Sequence, residues 1–191
     1  MTLNIVQTTV GKIPPWHIVL PDVDQTLASQ VKKKDAPHIL NALACEKINQ
    51  QYADHVHIYT DASKDSSGKV GIGCHIRLSS TSQSIDKVAR LTDGVAVQTG
   101  ELAAIRMALQ NIYLLENSTS YQRYAIFTDS LSSVQNFSTN ASRNRPNLYI
   151  EATEFIQKLQ SYVTLIWIPS HIGIPGNERA DCLANIGTKL Q

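Results

Sequence analysis

The chain has 191 residues, 42% of them hydrophobic, with three cysteines and a formal net charge of +1. That length buries one ordinary core, so it accommodates one globular domain plus an appendage and argues against two independent enzyme domains. The near-zero charge excludes a bulk attraction to nucleic acid, membrane or acidic partners, and any such partner must be argued from a local site.

Cys45, Cys74 and Cys182 lie far apart and lack the close pairing of zinc sites or of a secreted disulfide framework, so they are expected to be reduced packing residues. The start, "MTLNIVQTTVGKIPPWHIVL", has no basic segment leading into a continuous apolar core, and no run of about 18 apolar residues occurs. The expectation is a soluble, intracellular protein, cytoplasmic or nuclear, without signal peptide, transmembrane segment or membrane partner.

Taken in chain order, residues 1–53 form a connector or partial helical segment and 54–191 a regular unit. "GKIPPWHIVLP" is proline-broken and extended, and "KKKDAPHILNALACEKINQQY" predicts a helix starting near Asp35. The run Lys32-Lys33-Lys34 reads as a solvated surface feature, since three lysines alone do not make a nucleic-acid contact. From His55 three strands follow with short turns, "HVHIYTD", "GKVGIGCHIRL" and "SIDKVARLTDGVAV", as in an antiparallel meander.

"TGELAAIRMALQNIYLLE" then places Leu102, Ile105, Leu109, Ile112 and Leu115 at helical spacing. "RYAIFTD" is a fourth strand, "SLSSVQNF" and "NLYIEATEFIQKLQ" are helices, "YVTLIWIP" is a fifth strand, and "GNERADCLANIGTKL" is the last helix. Strand and helix alternate in the second half, which implies parallel neighbours. The predicted fold is therefore α/β, a mixed sheet of five strands with an antiparallel meander leading into βαβ units and helices flanking it.

Four acids fall at telling places on this scheme: Asp61 ends the first strand, Glu101 starts the first long helix, Asp129 ends the fourth strand, and Asp181 lies in the first turns of the last helix. Each also has a structural reading, Asp61 as a turn residue, Asp129 as a helix cap, and Glu101 and Asp181 as partners of helix N-terminal dipoles. Two details favour a site. Glu101 shares its helical face with Ile105, Ala108 and Ile112, so it points coreward and needs a compensating partner. "IYTD" and "IFTD" repeat one device, an apolar run closed by Thr-Asp, and α/β sheets bind ligands at the carboxyl ends of parallel strands.

Adjacent carboxylates repel and take up protons unless cations intervene. Two Mg²⁺ ions about 3.5 to 4 Å apart would match four acids and stabilise both the attacking and the leaving oxygen of a phosphodiester displacement. An all-oxygen donor set favours Mg²⁺, with Mn²⁺ as a substitute, over zinc. From Val56 to Gln191 there are twelve Lys and Arg against eleven Asp and Glu; without the four acids the remainder is twelve against seven, a modestly basic surface suited to a polyanion. In "WIPSHIGIPGNERADCLA", His171 sits in a loop bounded by Pro169, Gly173, Pro175 and Gly176 beside the helix of Asp181, where an imidazole can move protons or assist product departure.

Thr60-Asp61-Ala62-Ser63, Glu101-Leu102-Ala103-Ala104, Thr128-Asp129-Ser130, and Ser170-His171-Ile172-Gly173 with Gly176-Asn177-Glu178-Arg179-Ala180-Asp181 together resemble type 1 ribonuclease H over roughly Val56 to Lys189. The resemblance implies a metal-dependent endonuclease that hydrolyses the RNA strand of an RNA–DNA hybrid to 5′-phosphate and 3′-hydroxyl ends. It implies two ions held by Asp61, Glu101, Asp129 and Asp181, with Asp61 shared between them and His171 aiding proton transfer or product release.

It also implies hybrid contacts from Ser63, Gln98, Ser130 and Asn177, since selecting RNA requires reading 2′-hydroxyls across the minor groove. The segment before Glu101 departs from the family: Val97 stands where Asn is common, and Thr99-Gly100 replace a more polar pair. "FSTNASRNRPN" is short and offers only Arg143 and Arg145 in place of the basic protrusion of many cellular members. With the Pro-Pro-Trp connector and the "SHIGIPGNERAD" loop, this is most similar to the ribonuclease H domains that follow reverse transcriptase in non-LTR retrotransposon polyproteins. A reverse transcriptase neighbour is then a further expected partner. Two alternatives stand beside this reading, a catalytically degenerate ribonuclease H fold acting as a structural or hybrid-binding module, and a transposase- or resolvase-like nuclease on the same fold.

Overall fold

The computed structural model describes residues 19–32, 34–78, 83–116, 123–138 and 146–191. Most of the proline-broken extended segment, Lys33, Arg143 and Arg145 lie outside the described residues. The elements in chain order are β1 (Asp22–Asp24), α1 (Thr26–Gln30), α2 (Pro37–Gln51), β2 (Val56–Lys64), β3 (Val70–Arg77), β4 (Ser84–Arg90), α3 (Val97–Glu116), β5 (Arg123–Thr128), α4 (Leu131–Ser138), α5 (Pro146–Lys158), β6 (Tyr162–Trp167) and α6 (Pro175–Gly187).

The sheet order is β1-β6-β5-β2-β3-β4. β2–β3 and β3–β4 are antiparallel, while β2–β5, β5–β6 and β1–β6 are parallel, which is the mixed sheet expected from the element order. Among the described residues it has six strands instead of five. The extra one, Asp-Val-Asp, is too short and too polar to show a strand pattern, and forms by pairing Asp22, Val23 and Asp24 with Thr164, Leu165 and Ile166.

Other boundaries shift for local reasons. β4 stops at Arg90 and does not run on through Val97, because Gly94 turns the chain at φ 81° and Leu91 and Val95 are buried as core contacts. α3 begins at Val97, so Glu101 stands in its second turn and does not open it. β2 continues past Asp61 to Lys64, and the turn after it is held by Asp65, whose Oδ1 accepts from the Ser67 and Lys69 amides at 2.9 Å. Cys74 is buried and Cys45 partly so, but Cys182 is exposed and is not the packing residue expected.

Alternation along the strands fills two cores. On one face Ile58, Ile72, Ile126 and Leu165 meet Leu102, Ile105, Leu109 and Ile112 of α3 and Ala152 of α5. The expected α3 stripe is fully buried, Ile105 at 1% exposure and Ala108 and Ile112 at 0%. On the other face Tyr59, Phe127 and Ile166 meet Ala180 of α6, Leu27 of α1, and Ala44 and Ile48 of α2. Covering by helices on both faces is why β2 is buried from Val56 through Ala62.

α6 packs directly over β3 because Gly71 and Gly73 occupy one face of that strand. A Cβ at either position would overlap the carbonyl oxygens of Ala184 or Ala180. Lys32 and Lys34 are exposed, as expected for solvated lysines. No helix among the described residues is long and apolar enough to cross a membrane.

Candidate active site

The site lies where the parallel and antiparallel halves of the sheet part. β2 and β5 run in register to Thr60 and Thr128, and beyond that pair the strands separate, carrying Asp61 and Asp129 outward together. Asp61 stays on β2, still paired with Gly73 of β3, and is 6% exposed. Asp129 is fixed through its backbone: its carbonyl accepts a 3.0 Å hydrogen bond from Trp167 Nε1.

Glu101 reaches these acids because α3 approaches the sheet closely at Gly100. A Cβ on Gly100 would come within 2.8 Å of Ala62 Cβ and 2.9 Å of Val70 Cγ1. The Thr99-Gly100 pair that departs from the family pattern therefore has a packing role, with both residues buried between helix and sheet.

Asp61, Glu101 and Asp129 each present an oxygen, and these atoms lie within 4.8 Å of one another. Asp181 adjoins the group, close enough to Asp61 to share a proton with it. Burial, then repulsion from Asp129 and Asp181, pushes Asp61 up to about 8 against the pull of the Ala62 amide. Burial, then Asp61 and Asp129, raises Glu101 to about 9. Asp129 is also raised, by burial foremost, with His171 opposing and Asp181 adding to the shift. Glu101 Oε2 is buried and has no hydrogen-bond partner. A buried carboxylate oxygen with an open lone pair, beside two acids that repel it, fits a divalent cation and fits poorly as a structural group.

His171 is exposed, in the left-handed region at φ 51°. Its imidazole, Glu178 and Asp181 form a second group with donor atoms within 4.8 Å of one another, so Asp181 joins the buried acids to the histidine loop. Glu178 Oε1 also accepts from the Gly173 amide at 3.2 Å.

The proposed hybrid contacts fall in different environments. Gln98 is exposed in the first turn of α3. Ser130 is half-buried, its hydroxyl 2.8 Å from that of Ser133. Ser63 Oγ donates to Asn185 Oδ1 at 2.8 Å, and Asn185 Nδ2 donates to Asp181 Oδ1 at 2.9 Å, so the serine ends a chain that orients a carboxylate. Asn177 is 2% exposed with an unpartnered Oδ1. Glu178 stands inside the Gly176–Asp181 motif but is not among the site residues expected from it, Asn185 is hinted at only by its i+4 offset from Asp181 on one helix, and Trp167 carries no signal of its own.

A family model described as RNase H matches residues 53–189. Among solved structures, RNase H1 from the halophilic archaeon Halobacterium salinarum NRC-1 aligns at TM-score 0.56 and 19% identity, covering 71% of this chain and 98% of that one. The N-terminal RNase H domain of a Mycobacterium tuberculosis protein, solved as a fusion with maltose-binding protein, aligns at TM-score 0.57 and 19% identity, covering 70% and 98%. At that identity the likeness carries the fold, and the family match, which takes in all four acids and the histidine, carries the assignment. The chain belongs to the RNase H family and is a ribonuclease H.

Proposed function

We propose that the protein cleaves the RNA strand of RNA–DNA hybrids at Asp61, Glu101, Asp129 and Asp181, in a reaction that depends on two divalent cations, Mg²⁺ by preference with Mn²⁺ as a substitute. The observation that carries this reading is the buried, unpartnered Glu101 Oε2 beside Asp61, which is pushed up to about 8, and Asp129, which is also raised. When bound, the cations would neutralise the carboxylates, polarise the scissile phosphate and lower the pKa of the attacking water.

The chain's own groups do the remainder. Asp61 and Asp129, set side by side by the β2–β5 register, would hold the cations against which the phosphate is placed for in-line attack that leaves 5′-phosphate and 3′-hydroxyl ends. Glu101 gives up its proton as the site fills and becomes an anionic ligand. Asp181 is aimed by Asn185, and His171, exposed above it, passes a proton to the leaving oxygen or eases product departure. Gln98, exposed on the first turn of α3, is the contact most open to a hybrid's minor groove, and Ser63, Ser130 and Asn177 are the further contacts proposed.

The biological setting we propose is reverse transcription of a retroelement, with a reverse transcriptase neighbour supplying hybrid affinity. Support comes from the resemblance of the "SHIGIPGNERAD" loop and from the spacing of α4 and α5, which only residues 139–145 separate, too few for a basic helical protrusion. The activity test is a labelled hybrid incubated with and without Mg²⁺: the RNA strand should be cut only with metal, and Asp129→Asn should abolish cutting. Metal-independent cleavage, or full activity of Asp129→Asn, would sink the proposal.

A further inference from the structure

The loop that presents His171 is held from outside the region that defines the family. The family match begins at residue 53, and helix α2 ends at Gln51. From α2, Asn41 Nδ2 donates a 2.8 Å hydrogen bond to the carbonyl of Ile172, the residue directly after His171. Cys45 Sγ, one turn along, lies 3.6 Å from Asn41 Oδ1, an orientation that leaves the amide nitrogen for the loop. Apolar side chains close the same contact: Ala44 and Ile48 are buried with Ile168, Ile174 and Ala180, and Leu43 and Ile172 pack against that cluster.

α2 is itself firmly seated. Lys47, 8% exposed, pairs with Asp24 at 2.6 Å and also donates to Thr26 Oγ1 at 2.8 Å, tying the helix to β1 and α1. On its other side the histidine loop is tied to α6 through the Gly173 amide and Glu178. Thus the Ile172–Gly173 peptide group has its carbonyl fixed by α2 and its amide fixed by α6. His171 holds a left-handed φ, which a non-glycine residue keeps only when its surroundings over-determine it. By contrast Asp61, Glu101 and Asp129 sit on β2, α3 and the end of β5, none of which takes its position from Asn41.

We propose that Asn41 is a positioning residue for His171, so that the upstream helix α2 sets the catalytic step the histidine serves. The proposal rests on the reading of His171 as a proton-transfer or product-release group. Without the Asn41 donor the Ile172 carbonyl loses its partner on the α2 side, the loop keeps only the Glu178 bond and its apolar contacts, and the imidazole spends less time where it acts. Turnover should suffer and hybrid binding should not.

The experiment is a double-mutant cycle on the full chain, with Asn41→Ala, His171→Ala and both together, read as hybrid cleavage in Mg²⁺. Expected is a loss of about five- to tenfold in kcat for Asn41→Ala, the scale of one lost hydrogen bond, with KM held within about twofold. In the His171→Ala background the same change should have no further effect. Asn41→Asp, isosteric and lacking the donor, should behave like Asn41→Ala. A readout independent of activity is hydrogen exchange: the Gly173 amide, which donates to Glu178 in the peptide group whose carbonyl Asn41 holds, should exchange about tenfold faster in Asn41→Ala, with β2 amides unchanged. An equal kcat loss in both backgrounds, or unchanged loop exchange, overturns the proposal. A wild-type protein that cuts no hybrid would instead overturn the reading of His171, and the exchange measurement would still decide whether Asn41 holds the loop.

Discussion

Thr60 and Thr128 are register partners at the end of the β2–β5 ladder, and two acids of the site are placed by that pair. Asp61 and Asp129 follow it directly, so neither can move without breaking a parallel strand pairing. Converting either to Asn should therefore leave the fold intact. We expect Asp61→Asn or Asp129→Asn to lower the hydrolysis rate by about 10²-fold or more, the scale of losing one preorganised electrostatic contact. The metal-free melting temperature should stay the same or rise, because the change removes repulsion; unfolding of either variant would mark its residue as structural.

The raised acids give the metal-free protein an unusual pH dependence. Asp61 and Glu101 move from 3.8 and 4.5 in the unfolded chain to about 8 and about 9 when folded, so between those limits the folded state holds more protons. Stability then falls as pH rises. In chelator the melting temperature should drop steadily from pH 5 to pH 9, and Mg²⁺ should restore it most at the alkaline end, releasing protons as it binds. A melting temperature that rises with pH in chelator would contradict the shifts.

Asp24 shows the opposite sign. Burial alone would raise it, but hydrogen bonds from Lys47, Tyr52 and Thr26 outweigh burial and hold it at about 2, below the usual 3.8. Its contribution is full above about pH 4 and is lost as pH falls towards 2, on the order of 2 kcal/mol. Lys47→Met, which strands the half-buried Asp24 carboxylate, should cost about 3 kcal/mol or more in urea unfolding. The same change should loosen β1 from β6, visible as faster exchange of the Val23 amide.

Asn185 bridges Ser63 and Asp181. Asn185→Ala frees the Asp181 carboxylate to rotate, and outer partners of metal ligands are typically worth 10- to 100-fold in affinity or activity. About a tenfold loss in kcat is expected, partly recovered at high Mg²⁺. Ser63→Ala should give a smaller loss, since Asn185 keeps its own bond to the Asp181 side chain.

Much of this site was legible in the sequence because its chemistry coincides with element boundaries. Thr-Asp recurs in two apolar runs, and that repetition put Asp61 and Asp129 side by side on neighbouring strands, although β2 runs on past Asp61 to Lys64. Glu101 was legible as an acid heading an apolar stripe, and His171 as an imidazole among prolines and glycines. The remainder depends on contacts that pattern does not carry. Asn41 meets Ile172 across 131 residues, and β1 becomes a strand only because β6 offers it an edge. Glycine 100 looked like a departure from the family pattern, yet its missing Cβ is what lets Glu101 reach the other acids.

The indole of Trp167 donates to the backbone of Asp129, and the chain has one other tryptophan, Trp16, which lies outside the described residues. An emission-sensitive chromophore is thereby wired to the backbone of an acid of the site. In a Trp16→Phe background the fluorescence of Trp167 becomes a built-in optical gauge of cation occupancy, readable in real time without a label.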